Sequence, residues 1–147
     1  MNFRILASLM GLGCFLVALS PLQAQEIRLA DQYLGCLKAM WEQDASSDEV
    51  DAYGRLLGEN AVYQHPRVGI SIEGRATILE AMSGFLGTSR SPQLSNIEVL
   101  VGSGVTVVVF DLSMEVRSRD GWSQIDRHQL TVLEISDGKI TTISDYW

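Results

Sequence analysis

The sequence has few cysteines and no excess of basic residues, and both shortages narrow the range of functions. Its 11 lysines and arginines stand against 18 acidic residues, which gives a formal net charge of −7. Because a chain this acidic has no surplus of cations for a phosphate backbone, we predict no nucleic-acid partner. The two cysteines, Cys14 and Cys36, form no Cys-x-x-Cys pair, so the sequence offers no cysteine-based metal site.

Other sequence signatures of catalysis are missing as well. His65 and His128 are far apart, and the sequence has no His-x-x-x-His helix, no Gly-x-Ser-x-Gly elbow and no glycine-rich phosphate loop. These absences predict a protein without a metal site, a cofactor or a serine nucleophile. The chemistry left open is proton transfer or water activation in an apolar pocket.

The first two dozen residues have the pattern of a secretory signal. Arg4 precedes an uncharged apolar run over residues 5–19, and a small-residue cleavage point follows at Ala24. The run is shorter than the ~20 residues that span a bilayer, so no stable membrane anchor is predicted. We therefore predict a cleaved signal peptide at residues 1–24, a single domain at residues 25–147, and a secreted or periplasmic protein.

Hydrophobic periodicity divides the rest of the chain into helices followed by strands. Apolar residues at three- and four-residue steps predict a helix over residues 26–43, and a capping-box pair, Ser46 and Glu49, predicts a second helix that stops at Gly58. The remaining predicted elements are a strand over 61–65 ended by Pro66, a loop over 69–74, a helix containing Ile78, Met82 and Phe85, and strands over 94–101, 105–117, 122–135 and 139–147. This order predicts an α+β domain.

The strand over residues 105–117 has two different faces. One face carries Phe110, Leu112 and Met114, whereas the alternating polar face, Asp111, Ser113 and Glu115, could meet solvent or a second copy of the chain. A hairpin turn at Asp120 and Gly121 would place Phe110, Leu112 and Met114 opposite Thr131, Gln129 and Arg127. A bulge would bring His128 and Asp126 to that face instead.

Four motifs carry a family resemblance: Tyr63-Gln64-His65-Pro66, Gly74-Arg75-Ala76-Thr77-Ile78, Asp137-Gly138-Lys139-Ile140 and Ser144-Asp145-Tyr146-Trp147. In this order they resemble the SnoaL-like branch of the nuclear transport factor 2-like superfamily. The resemblance implies a curved antiparallel sheet wrapped around the N-terminal helices, a cystatin-like roll that encloses a cone-shaped pocket. A homodimer is an expectation from the fold alone.

One enzyme of that superfamily gives a sharper comparison at the last strand. The aspartate that matches Asp145 in limonene epoxide hydrolase is an acid/base residue, and Tyr63 and His65 fall where that enzyme has a tyrosine and an asparagine that hold water. The same enzyme needs an arginine and an aspartate on its long strand, where this sequence has Leu112 and Met114. Its full hydrolytic set is therefore missing.

Ketosteroid isomerases give a second comparison. Their catalytic aspartate stands where this sequence has His65, and the strand with Phe110, Leu112 and Met114 resembles the one that contacts the steroid. Tyr33 is the nearest match for the tyrosine that polarises the substrate carbonyl, and the partner acid of that tyrosine has no clear match.

The residues themselves make His65 and Asp145 the candidate acid/base pair. An imidazole exchanges protons near neutral pH, and Asp145 could orient it or act as the base itself if burial raises the pKa of its carboxyl group. A buried carboxylate needs a partner, so an alternative is that Asp145 pairs with Arg127. A second alternative is that His65 only bonds a loop carbonyl.

The predicted catalytic residues are His65, Asp145 and Tyr63. The predicted pocket residues are Tyr33, Met40, Trp41, Phe110, Leu112, Met114, Arg127, Ile143 and Trp147. The leading hypothesis is an exported protein that binds a small apolar or amphipathic molecule and acts as an isomerase- or hydrolase-type acid/base enzyme. The alternative hypothesis is a non-catalytic module for ligand binding or dimeric assembly.

Overall fold

The computed structural model of the protein describes residues 20–147, so most of the predicted signal peptide lies outside the described residues. The helices are α1 (Pro21–Met40), α2 (Ser47–Gly54) and α3 (Arg75–Ser83). The strands are β1 (Leu57–His65), β2 (Ile70–Glu73), β3 (Ser89–Val101), β4 (Val105–Ser118), β5 (Gly121–Ser136) and β6 (Lys139–Tyr146). Within residues 20–147, no helix is long and apolar enough to cross a bilayer.

The six strands form one open curved sheet in the order β2-β1-β6-β5-β4-β3. Strand β1 runs parallel to β6, and the other neighbouring strands are antiparallel. The predicted α+β fold is thus confirmed, with a sheet that is mixed because of this one parallel pair. The pair has a consequence for function, since it sets Tyr63 level with Ile143 near the end of β6.

The core lies between α1 and the inner face of the sheet. Along β4, burial alternates with a period of two, so that Val108, Phe110 and Leu112 point inward and the residues between them point outward. Tyr33 and Leu37 belong to the buried stripe of α1 that packs into the same core. This burial of apolar surface is the main force that holds the helix against the sheet.

Helix α1 starts earlier than the predicted helix, which spans residues 26–43. Helix α1 begins at Pro21, and Ser20 and Gln23 form a capping box before it. The predicted cleavage point after Ala24 therefore lies within the first turn of α1.

The second helix begins where the sequence predicts but ends earlier. Ser46 and Glu49 form the predicted capping box, with the Ser46 amide donating to the Glu49 carboxylate at 2.7 Å. The helix ends at Gly54 instead of Gly58, because the chain has already joined the sheet at Leu57, whose side chain is fully buried. A Cβ on Gly54 would lie 2.7 Å from a methyl group of Leu79, so this glycine lets α2 and α3 approach closely.

Two further predictions need correction. The segment predicted as a loop over residues 69–74 contains β2, whose residue Ile70 pairs with His65. The third helix ends at Ser83, and Phe85 lies beyond it with 62% of its surface exposed. A periodicity argument cannot detect a short edge strand such as β2, because four residues contain too few alternations.

The hairpin between β4 and β5 has a different turn from the predicted one. Ser118 pairs with Gly121, so Arg119 and Asp120 form the turn and Gly121 opens β5 with a φ of 120°. The register is consequently shifted by two residues: Phe110 lies opposite Gln129, Leu112 opposite Arg127 and Met114 opposite Ile125. A shift of two keeps every side chain on its predicted face. Arg127 therefore points to the inner face, and His128 points outward.

Candidate functional site

The predicted catalytic residues meet on the inner face of the sheet, where β1, β6 and β5 lie side by side. Asp145 on β6 pairs with Thr131 on β5, and Tyr63 on β1 lies across from Ile143 on β6. Alternation along β1 puts His65 on the same face as Tyr63. The three strands thus bring together His65, Asp145 and Tyr63.

Two hydroxyl groups hold the Asp145 carboxylate. The Tyr63 hydroxyl donates to Oδ2 at 3.0 Å, and the Thr131 hydroxyl donates to Oδ1 at 2.6 Å. The Gln129 amide donates in turn to the Thr131 hydroxyl at 3.5 Å. We call Asp145, Tyr63, Thr131 and Gln129 the carboxylate cluster. Asp145 is 6% exposed, so these donors supply the partners that a buried carboxylate requires.

Burial raises the pKa of Asp145 above the ordinary aspartate value of 3.8. Hydrogen bonds from Thr131, Tyr63 and the neighbouring Gln129 oppose this rise, and so does the positive charge of a protonated His65. The apolar surroundings therefore favour the neutral form of the carboxyl group, and the hydrogen-bond donors favour its ionised form. Such opposing influences are typical of groups that exchange protons in catalysis.

His65 lies close to the carboxylate cluster but is not bonded to it. It is 2% exposed, and neither ring nitrogen has a hydrogen-bond partner among the described residues. Its ring packs edge-on against Trp147, with ring centroids 4.4 Å apart and an interplanar angle of 73°. Both nitrogens are therefore without a partner in the described part of the chain, and His65 does not bond a loop carbonyl as the alternative predicted.

Two tyrosines from the helices extend the polar surface of the interior. Tyr33 of α1 and Tyr53 of α2 are fully buried, with ring centroids 5.9 Å apart. Burial, followed by the charge of Asp145, raises the pKa of both phenols well above the usual value. The Tyr53 hydroxyl has no partner within residues 20–147. Both phenols are thus neutral groups that can donate a hydrogen bond into the interior.

The predicted pocket residues separate into a buried wall and an outer rim. Met40, Phe110, Leu112, Met114 and Ile143 are all buried in the core. Trp41 caps the C-terminus of α1 and is partly buried. Trp147 is 41% exposed, and the Arg127 guanidinium carbon lies 3.8 Å from the centroid of its indole. Arg127 thus stacks on Trp147, and its guanidinium does not pair with Asp145.

Sequence reasoning did not identify three members of the site. Tyr53 lies within the predicted second helix, and helical spacing does not reveal what a helix face meets. Thr131 and Gln129 were placed on the correct face of β5, but the shifted register put them opposite the wrong residues. The pairing of β5 with β6, together with the polar character of Thr131 and Gln129 at inward positions, is the signal that could have found them.

A separate open groove of about 570 Å³ lies between α1 and α2. Gly35, Cys36, Ala39, Ala52 and Arg55 are among the residues that line it, so it is distinct from the interior that contains Asp145. Within the described part of the chain, no three His, Cys, Asp or Glu side chains are grouped so that they could hold a metal ion.

Three helices packed on a curved six-stranded sheet are the architecture of the nuclear transport factor 2-like fold. The model for the SnoaL-like domain family matches residues 37–143, and the chain belongs to that family. A comparison with curated proteins found no significant match.

Solved structures agree with this assignment. A candidate polyketide cyclase from Xanthomonas campestris pv. campestris is 16% identical, with a TM-score of 0.69 over 85% of this chain and 91% of the other. An LEH-like epoxide hydrolase from M. tuberculosis is 19% identical, with a TM-score of 0.65 over 86% and 84%. A candidate ketosteroid isomerase from Kribbella flavida is 19% identical, with a TM-score of 0.61 over 85% and 78%. At these identities the likeness establishes the fold alone.

The difference in unfolding free energy between the Asp145→Asn variant and the wild type is expected to shift in favour of the variant as the pH rises. Because its folded-state pKa is raised, Asp145 contributes stability that is fully present below the unfolded-state pKa and is lost as the pH rises through the folded-state pKa. Asparagine does not titrate, so the Asp145→Asn variant escapes this loss. Urea unfolding of both proteins from about pH 4 to about pH 8 measures the difference in unfolding free energy.

Asp111→Asn is the control with the opposite sign. Hydrogen bonds from Asn96 and His128 lower the pKa of Asp111, so its stabilising contribution is lost as the pH falls through the folded-state value. The Asp111→Asn variant should therefore lose stability relative to the wild type as the pH rises through the ordinary aspartate range, so its urea series extends down to about pH 3. If the unfolding free energy of the two variants, relative to the wild type, changed with pH in the same direction, the raised pKa of Asp145 would be wrong.

Proposed function

We propose that this SnoaL-like protein binds a small apolar or amphipathic molecule between α1 and the inner face of the sheet, and transfers a proton with His65 and Asp145. One observation carries this proposal: a buried imidazole with two unpartnered nitrogens lies beside a buried carboxylate that two hydroxyl groups hold. Buried polar groups without partners are unfavourable unless a ligand or water satisfies them. The apolar wall of Phe110, Leu112 and Met114 fits a ligand that is mainly hydrocarbon.

The proposed roles follow from the two environments. His65 accepts a proton, either from a carbon beside a carbonyl group or from an attacking water molecule. Asp145, when it holds a proton, donates it to the oxygen that gains negative charge, and burial assists this role by raising the pKa of its carboxyl group. Tyr63 keeps the carboxyl group of Asp145 in place by its hydrogen bond. The likeness to an epoxide hydrolase and to a candidate ketosteroid isomerase supports both reaction types.

Replacing His65 by alanine is expected to lower kcat by about 10² to 10⁴-fold, because the variant has no group to accept the proton. Ligand affinity should fall by a much smaller factor than kcat, since the apolar wall stays intact although the hydrogen bond to His65 is lost. Asp145→Asn should lower kcat by a similar factor. Initial rates on a panel of ketones and epoxides, with ligand affinity measured by calorimetry, test both variants.

His128→Ala is the matched control, because His128 is exposed on the outer face of the sheet and bonds to Asp111 at 2.7 Å. It should turn over substrate at the rate of the wild type. Retained turnover in His65→Ala would remove His65 from the mechanism. A wild type that turns over no member of the panel would favour the non-catalytic alternative.

The second candidate function is a non-catalytic module that assembles as a homodimer, and the outer face of the sheet favours it. Val109, Leu130 and Tyr146 lie in register across β4, β5 and β6, and Val107 and Val132 form the adjacent row. We call these five residues the outer apolar stripe. Each is at least partly exposed, and apolar rows of this kind are typical of surfaces that bind a second subunit.

A Val109→Glu substitution is expected to shift a homodimer toward monomer, because it places a charge in the middle of the outer apolar stripe. Ser113→Glu, further along the same face of β4, is the matched control and should leave the mass unchanged. Light scattering on a sizing column measures the mass. A monomeric wild type would exclude the stripe as a stable dimer interface.

Export is part of the same proposal and has its own test. Cleavage after Ala24 leaves residues 25–147, with a formal net charge of −8 because Arg4 is removed and no acid is lost. We expect the intact mass of the protein from the secreted or periplasmic fraction to match a chain that begins at Gln25. A full-length mass confined to the cytoplasm would exclude export.

A further inference from the structure

The side chain of Trp147 separates His65 from solvent. His65 is 2% exposed, whereas Trp147, whose ring centroid lies 4.4 Å from that of the imidazole, is 41% exposed. A partly exposed aromatic ring therefore packs directly on a buried imidazole whose two nitrogens have no partner in the described chain. Any ligand that reaches His65 from this side must displace the indole.

The Trp147 side chain is held by contacts that can be broken easily. Strand β6 ends at Tyr146, so Trp147 lies outside the strand ladder. The Arg127 guanidinium stacks on the indole at 3.8 Å, and Arg67 donates a long hydrogen bond of 3.4 Å to the Trp147 carbonyl. A cation–π contact at a partly exposed site is among the weaker interactions in a protein. The indole can therefore swing outward without unfolding the sheet.

We propose that Trp147 is a gate over the His65 side of the interior and that Arg127 is the positioning residue that keeps the gate closed. The proposal deepens the proposed function, because it names the residues that control how a ligand reaches His65. With the indole in place, His65 is shielded from water and from large molecules. With the indole displaced, the imidazole becomes accessible from this side.

Diethyl pyrocarbonate provides a direct test, because it acylates the unprotonated imidazole nitrogen of accessible histidines. The protein has only two histidines, and peptide mass spectrometry can follow both in one sample. His128, whose side chain is 71% exposed, serves as the internal reference. In the wild type at neutral pH, His65 should react much more slowly than His128.

Trp147→Ala should raise the acylation rate of His65, relative to that of His128, by about tenfold or more, because the ring that covers His65 is removed. Arg127→Met should raise it by a smaller factor, since the indole remains but loses the guanidinium that holds it. Trp147→Phe should restore much of the protection by replacing one ring with another. Protection of His65 in Trp147→Phe would show that the aromatic ring itself covers the imidazole, and that the exposure in Trp147→Ala does not come from a general loss of structure.

Trp122→Ala is the matched control. Trp122 is stacked by Arg90 at 4.4 Å, which is the same type of contact near the far end of the β4–β5 hairpin. Its removal should leave the ratio of the two histidine rates unchanged. Urea midpoints for all variants show whether a change in rate comes from global unfolding.

Two results would overturn the gate: equal rates for His65 and His128 in the wild type, or an unchanged ratio in Trp147→Ala. The measurement needs neither ligand nor turnover. If Trp147→Ala exposes His65 while the ketone and epoxide panel shows no reaction, the gate stands and the catalytic proposal fails. If turnover occurs and the ratio is unchanged, the catalytic proposal stands and the gate fails.

Discussion

The buried carboxylate of Asp145 is the constraint on which the arrangement of the site depends. It can remain in the core only because Tyr63 and Thr131, from the strands on either side of β6, each donate a hydroxyl to it. An unsatisfied buried polar group costs about 1–3 kcal/mol, and more when it is charged. The parallel pairing of β1 with β6 brings the Tyr63 hydroxyl within hydrogen-bond distance of Asp145. The single parallel pair of the sheet therefore supplies one of the two donors to the carboxylate.

The sequence predicts the class of fold well because the fold follows from periodic burial. The capping box at Ser46 and Glu49 and the alternation along β4 are local signals, and the structure confirms both. The end of α2 was wrong because Leu57 is apolar in either a helix or a strand, and only its pairing partner on β6 decides between them. The hairpin register was wrong by two residues because Asp120-Gly121 is a strong turn signal and the chain turns at Arg119-Asp120 instead.

The site was partly predictable for the same physical reason. The motifs around Tyr63, His65 and Asp145 lie at strand ends, and the fold implied by the family resemblance brings those ends together. Tyr53 could not be found in this way, because its role depends on a distance between elements that no local pattern contains. Thr131 and Gln129 required the pairing of β5 with β6. The outcome for Arg127 illustrates the limit: its face was predicted from alternation, but its contact with Trp147 depends on where the chain goes after β6.

The two halves of the polar interior differ in how far the protein's own hydrogen bonds satisfy them. The Asp145 carboxylate has donors on both oxygens, so its burial is explained without any ligand. The His65 nitrogens and the Tyr53 hydroxyl have no partner in the described chain, so their burial is not explained by the protein's own contacts. Folding alone would favour apolar side chains at those two positions. The proposed ligand would remove this unfavourable burial by supplying the hydrogen bonds that the protein's own groups do not.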